Sequence, residues 1–131
     1  MTVAVWIFAL LAAAIHIVVF AWEALLIERP SVHMGVFGLP YVPAVRVWAF
    51  GVGFYNLFLA GGMAVGVIAW MSGNETVGRT LVTYICLFMV LGGIVLFIGD
   101  RLGFGGARGK SIVGAVGESV PPLIALVASL L

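Results

Sequence analysis

Residues 14–30 read AIHIVVFAWEALLIERP, an apolar run of helix length that carries His16, Trp22 and Glu23 before it reaches Glu28 and Arg29. An ionisable group near the centre of a bilayer costs about 2.5–3.5 kcal/mol even on lenient insertion scales. A membrane span that keeps such a group must offset that cost with partners or with function. The rest of the chain puts the run in a membrane. Of 131 residues, 64% are hydrophobic and 8% charged, and the mean hydropathy is +1.29, far outside the mix of a soluble domain. A soluble core of this length has no room for so much apolar surface, whereas a bilayer buries any apolar run of about 20 residues by default.

The pattern predicts four spans, at about residues 3–27, 46–71, 80–99 and 111–131. The first lacks a basic leader and is too long for the apolar part of a signal peptide, so it is expected to be a retained span. After it, PSVHMGVFGLPYVPAV (residues 30–45) is rich in Gly and Pro, and is too short and interrupted to cross. It fits a re-entrant or interfacial loop. SGNETVGR (residues 72–79) reads as a polar turn, and DRLGFGGARGK (residues 100–110) as a glycine-rich basic connection. The expected fold class is therefore all-α: an integral membrane four-helix bundle in one domain, with both termini on the same side.

Charge sets the side. Arg29, Arg46, Arg101, Arg108 and Lys110 flank the first and third loops, against Arg79 alone on the terminal side. The positive-inside rule puts those loops in the cytoplasm and both termini outside. Trp6, Trp48 and Trp70 fall near span ends, where an indole keeps its N–H wet, while Trp22 lies deeper. Gly53, Ala60, Gly62 and Gly66, with Gly92 and Gly93, are expected to let backbones approach closely.

Depth then groups the polar residues. At about 1.5 Å per residue, Glu23 lies roughly 7 Å inside the cytoplasmic boundary, Glu118 roughly 10 Å and Asn56 roughly 15 Å. His16 is deeper and shares a helical face with Phe20 and Glu23 by its spacing. Lipid offers none of them a hydrogen-bond partner, so they are expected to turn toward one another as a pocket. Tyr55 and Trp22 would line it with Phe20, and Asp100 and Arg101 would form its cytoplasmic rim. A plainer reading stands beside each: Asn56 as glue between helices at about 0.6 kcal/mol, His16 satisfied by one backbone carbonyl, Asp100 and Arg101 as an interfacial ion pair. Two adjacent carboxyls in an apolar pocket oppose each other's charge, so one of Glu23 and Glu118 is expected to keep its proton. A neutral carboxylic acid beside a base supports acid–base chemistry. Pro121 and Pro122 follow Glu118 closely and predict a kink in the last helix.

Other signals carry less. The chain has no basic tail or stripe of the kind nucleic acid needs. Cys86, the one cysteine, reads as a small apolar filler. GFGGARGKS (residues 103–111) has Phe104 where a phosphate loop needs its first glycine, and no strand precedes it. Its Arg108 and Lys110 suit anionic lipid instead. His16 and Glu23 lack the further ligands a metal site needs, so neither metal nor cofactor is expected.

Three segments, HIVVFAWE (residues 16–23), GVGFYNLFLAGGM (residues 51–63) and GESVPPLIALVASLL (residues 117–131), together resemble small bacterial four-span proteins of domain-of-unknown-function family 1304. His16, Glu23, Tyr55, Asn56 and Pro121 match that family's pattern, and Glu118 replaces its more usual Gln. The resemblance implies a fold and a shared polar cluster, and no activity. The composition of the pocket suggests a membrane enzyme that opens epoxides, cyclises or isomerises a lipophilic small molecule. In it Glu23 and Glu118 are the acid–base pair, with His16 and Asp100 as further catalytic candidates. Asn56, Tyr55, Trp22, Phe20 and Arg101 are the binding candidates. The alternatives are a proton-coupled transporter working as a homodimer, in which Glu23 alternates between proton and cargo, and a structural subunit of a membrane complex.

Overall fold

A computed structural model describes residues 2–105 and 108–131. Gly106 and Ala107, within the glycine-rich connection, lie outside the described residues. The first span is α1 (Thr2–Phe20), continued by one π-helical turn, Ala21–Leu25. A short α2 (Pro30–His33) sits in the first loop, followed by α3 (Pro43–Met71), α4 (Glu75–Leu102) and α5 (Ile112–Leu130). Among the described residues there is no strand. Helices α1 with its π turn, α3, α4 and α5 are each long and apolar enough to cross a membrane. The chain is an integral membrane four-helix bundle. Helix α1 packs on α3, α3 on α4, α4 on α5, and α5 closes the ring against α1.

Local chemistry places the ends. Proline at the start of α2 and of α3 suits a helical first turn, whose N–H has no partner in any case. Helix α4 begins at Glu75, earlier than residue 80 as the hydropathy suggests, because the Asn74 side chain accepts from the Val77 N–H and Glu75 pairs with Arg79 at 3.0 Å. The turn between α3 and α4 shrinks accordingly to Ser72–Asn74. Gly103, at φ +79°, ends α4 in the left-handed conformation that favours glycine. Helix α5 runs unbroken through Pro121 and Pro122, both buried, so the prolines do not interrupt it. They do remove the N–H groups that the carbonyls of Gly117 and Glu118 would otherwise accept from.

The tightly packed core fills the end of the bundle that carries the termini. It joins Val5, Ala9 and Ala12 of α1 to Ala60 and Met63 of α3, Ile85, Cys86 and Met89 of α4, and Ala125 of α5. Cys86 is an inert filler there. Small residues do bring backbones together at Gly53, Ala60, Gly66 and Gly93, which are buried. Gly92, by contrast, faces out with nothing near the place a Cβ would occupy. The indole Nε1 of Trp6, expected to stay wet, is buried without a protein partner, its ring set edge-on to Trp70 at 6.2 Å. Glu23, Asn56 and Glu118 all lie outside this core, toward the opposite end.

Candidate functional site

Glu23 sits in the middle of the π-helical turn, where the Leu26 N–H donates to the Ala21 carbonyl at 3.0 Å across one residue more than an α-helix spans. Single π turns inside α-helices occur frequently at functional sites. The wider turn shifts everything beyond Phe20 out of register with His16. His16 accordingly stays apart: it is buried, and its Nδ1–H donates to the Ala12 carbonyl at 2.9 Å, one helical turn back. This is the plain structural role open to it from the sequence, with no link to Glu23.

Helix α3 supplies the partner. Asn56 Nδ2 donates to Glu23 Oε2 at 2.9 Å. The approach depends on Gly53, one turn earlier on the same face, where a Cβ would stand 2.9 Å from both the Cβ and N of Ala24 and 3.2 Å from the Cβ of Glu23. Glu118 is half-buried on α5, and it is Asn56 that hydrogen-bonds Glu23. Two of the three residues grouped by depth, Glu23 and Asn56, are therefore in contact.

On its other side Glu23 forms part of the wall of a cavity of about 200 Å³. That wall is apolar for most of its extent: Ile27, Phe37, Leu39, Val45, Trp48 and Val52 contribute to it. Glu23 shares it with His33 and Tyr41 of the first loop, neither of which the sequence singles out. One signal was available. The connection from Leu26 to Val42 is longer than the roughly 2–8 residues that join helices in a bundle, and long ordered loops tend to carry function. Trp48 is 74% exposed on the outer surface of α3, so the cavity borders the region that faces lipid.

The other residues expected at the pocket are placed elsewhere. Tyr55 is 67% exposed on the outside of the bundle: with Asn56 turned inward, its neighbour points roughly 100° away around the helix. Phe20 packs edge-on against Phe54 at 5.2 Å, beside Phe50 and Phe58, in an aromatic row along α3. Trp22 is half-buried and does not contribute to the cavity wall. Asp100 is buried, and both its oxygens are occupied. Oδ1 accepts from the N–H groups of Gly109 and Ser111 at 2.9 Å each, and Oδ2 from Gly109 at 2.8 Å and from the Arg101 guanidinium at 2.6 Å. Asp100 and Arg101 therefore clasp the connection between α4 and α5 and do not form the rim of the cavity. Glu28 and Arg46, paired at 3.0 Å, tie the exit of the π turn to the start of α3. Among the described residues no group of three or more His, Cys, Asp or Glu stands together as a metal site would require.

The family model described as protein of unknown function (DUF1304) matches residues 10–130, and the chain belongs to that family. Neither the curated proteins nor the solved structures contain a significant match to it.

Proposed function

We propose that this protein is a small membrane enzyme that performs acid–base chemistry, such as epoxide opening, cyclisation or double-bond isomerisation, on a lipophilic substrate. One observation carries the reading: the Glu23 carboxyl, held through Oε2 by Asn56, forms part of the wall of an otherwise largely apolar cavity. A carboxyl is a costly way to join helices in lipid. Asn56 secures one oxygen and leaves Oε1 to give or take a proton. A neutral carboxylic acid in such a site is an effective proton donor.

The cavity also limits the substrate. At about 200 Å³ it is smaller than the roughly 300–1,000 Å³ of pockets that enclose a whole drug-sized ligand. It takes the reactive end of a longer molecule, whose chain stays in the bilayer beside Trp48 and Val52. The arginine distribution favours the first and third loops on the cytoplasmic side, and the proposed setting is a bacterial cytoplasmic membrane.

The test is turnover of lipophilic epoxides and polyenes by the purified protein in liposomes. Glu23→Gln is expected to lower kcat by about 10²–10⁴-fold, the range of general acid–base catalysis, with unchanged helix content. Full turnover by a folded Glu23→Gln protein would refute the assignment. Movement of cargo driven by a pH gradient, without turnover, would move the protein to the transporter class.

A further inference from the structure

Besides Glu23, two titratable residues of the first loop, His33 and Tyr41, contribute to the cavity wall among the described residues, and His33 is the one that can act as a base. His33 ends α2, and two hydrogen bonds tie it to Leu39: the Leu39 N–H donates to the His33 carbonyl at 2.8 Å, and His33 Nδ1 meets the Leu39 carbonyl oxygen at 3.0 Å. Gly38 makes this closure feasible with φ +67°, and the Lys110 side chain packs against it from the third loop. Tyr41 supports the ring, its centroid 5.9 Å from that of the imidazole. A carbonyl oxygen can only accept, so Nδ1 carries the ring proton. Nε2 is left as the free lone pair of a residue that shares the cavity with Glu23.

We propose that His33 is the second acid–base group of the Glu23 cavity, with Nε2 as the proton acceptor that faces the Glu23 donor across the reactive end of a lipophilic substrate. This rests on the reading of Glu23 above. The proton balance closes without a further reactant. Glu23 gives its proton to a carbonyl, epoxide or alkene of the substrate, Nε2 takes one from the substrate, and transfer from the imidazolium to the Glu23 carboxylate restores both groups.

Two measurements on the purified full-length protein in liposomes test the pairing without a substrate. Nitrogen-15 NMR of histidine-labelled protein, with His33→Asn for assignment, is expected to show His33 protonated at Nδ1 and bare at Nε2. A proton on Nε2 with Nδ1 bare overturns the proposal. Dicyclohexylcarbodiimide, which reacts with protonated carboxyls in apolar sites, is expected to label Glu23. That label should then slow ethoxyformylation of His33 by diethyl pyrocarbonate at least tenfold, read by mass spectrometry. His16, buried in the bundle at 2% exposure, is the unreactive internal control. In the Glu23→Gln protein the carbodiimide should give His33 no protection. Labelling of Glu23 that leaves the His33 rate unchanged refutes the shared cavity while the reading of Glu23 stands. Failure to label Glu23 at all refutes that reading and the pairing with it.

Discussion

Glu23 and Asp100 are both acids within apolar helices, and their surroundings give them opposite work. Glu23 accepts one side-chain hydrogen bond and keeps an oxygen free beside a cavity. Asp100 spends both oxygens on backbone N–H groups of Gly109 and Ser111 and on Arg101. Asp100→Asn replaces one acceptor with a donor that the loop cannot use, so it is expected to lower Tm in detergent by about 5 °C and leave turnover per folded molecule unchanged. Differential scanning fluorimetry alongside the turnover assay checks both halves. Asn56→Ala has the opposite signature. It removes the group that orients Glu23 and should reduce kcat about tenfold with little effect on Tm, since an interhelical hydrogen bond in lipid contributes only about 0.6 kcal/mol. Equal loss of Tm and turnover in both variants would erase the distinction. The sequence already marked Asn56 and Glu23 as deep polar groups in need of partners. It also offered the ion pair of Asp100 with Arg101, which is present, but it could not show that Asp100 holds the loop, because those partners are the backbone amides of Gly109 and Ser111, which no residue type announces.

At the scale of elements, the contact between α3 and the π turn is the hinge of the site. Gly53→Ala puts a methyl group against Ala24 and Glu23, where the neighbours are backbone and Cβ atoms that cannot swing aside. Helix α3 should back away and lengthen the Asn56 to Glu23 bond, lowering turnover about tenfold while circular dichroism still shows a full set of helices. Gly51→Ala is the matched control: nothing lies within 4 Å of the added Cβ, and alanine is the better helix former by about 1 kcal/mol. A harmless Gly53→Ala would mean that the close approach has no bearing on the site. Deleting Ala21 should convert the π turn to α-helix and rotate Glu23 away from Asn56, which solid-state NMR distances between the two side chains would report. Hydrophobic pattern could not reveal the π turn, because AWEAL is equally compatible with either helix. The small residues on α3 were visible in the sequence, yet Gly92 on α4 looked as suitable as Gly93, and only packing told them apart.

The whole molecule divides into a packed end and a polar end, and its orientation across the membrane is open to a simple measurement. Ser31 and Ser72 are exposed in loops at opposite ends of the bundle, while the native Cys86 is buried. With a membrane-impermeant maleimide on intact cells, Ser72→Cys is expected to react and Ser31→Cys to react only after permeabilisation. The reverse pattern would place the arginine-rich loops outside. Composition and run length by themselves determined that the chain is a membrane protein with four helical spans, because the bilayer tests every residue against the same apolar solvent and the pattern is local. Matching depth brought Glu23 and Asn56 together for the same reason, since a polar group in lipid has only other polar groups to turn to. Tertiary structure alone decided which of two adjacent residues, Tyr55 or Asn56, faces inward, and that His16 is satisfied within its own helix. It also carried His33, on a loop outside the spans, to the cavity that Glu23 lines. Those outcomes depend on helix rotation and loop closure, which are set by contacts between segments far apart in the chain and leave no periodic trace within any one of them.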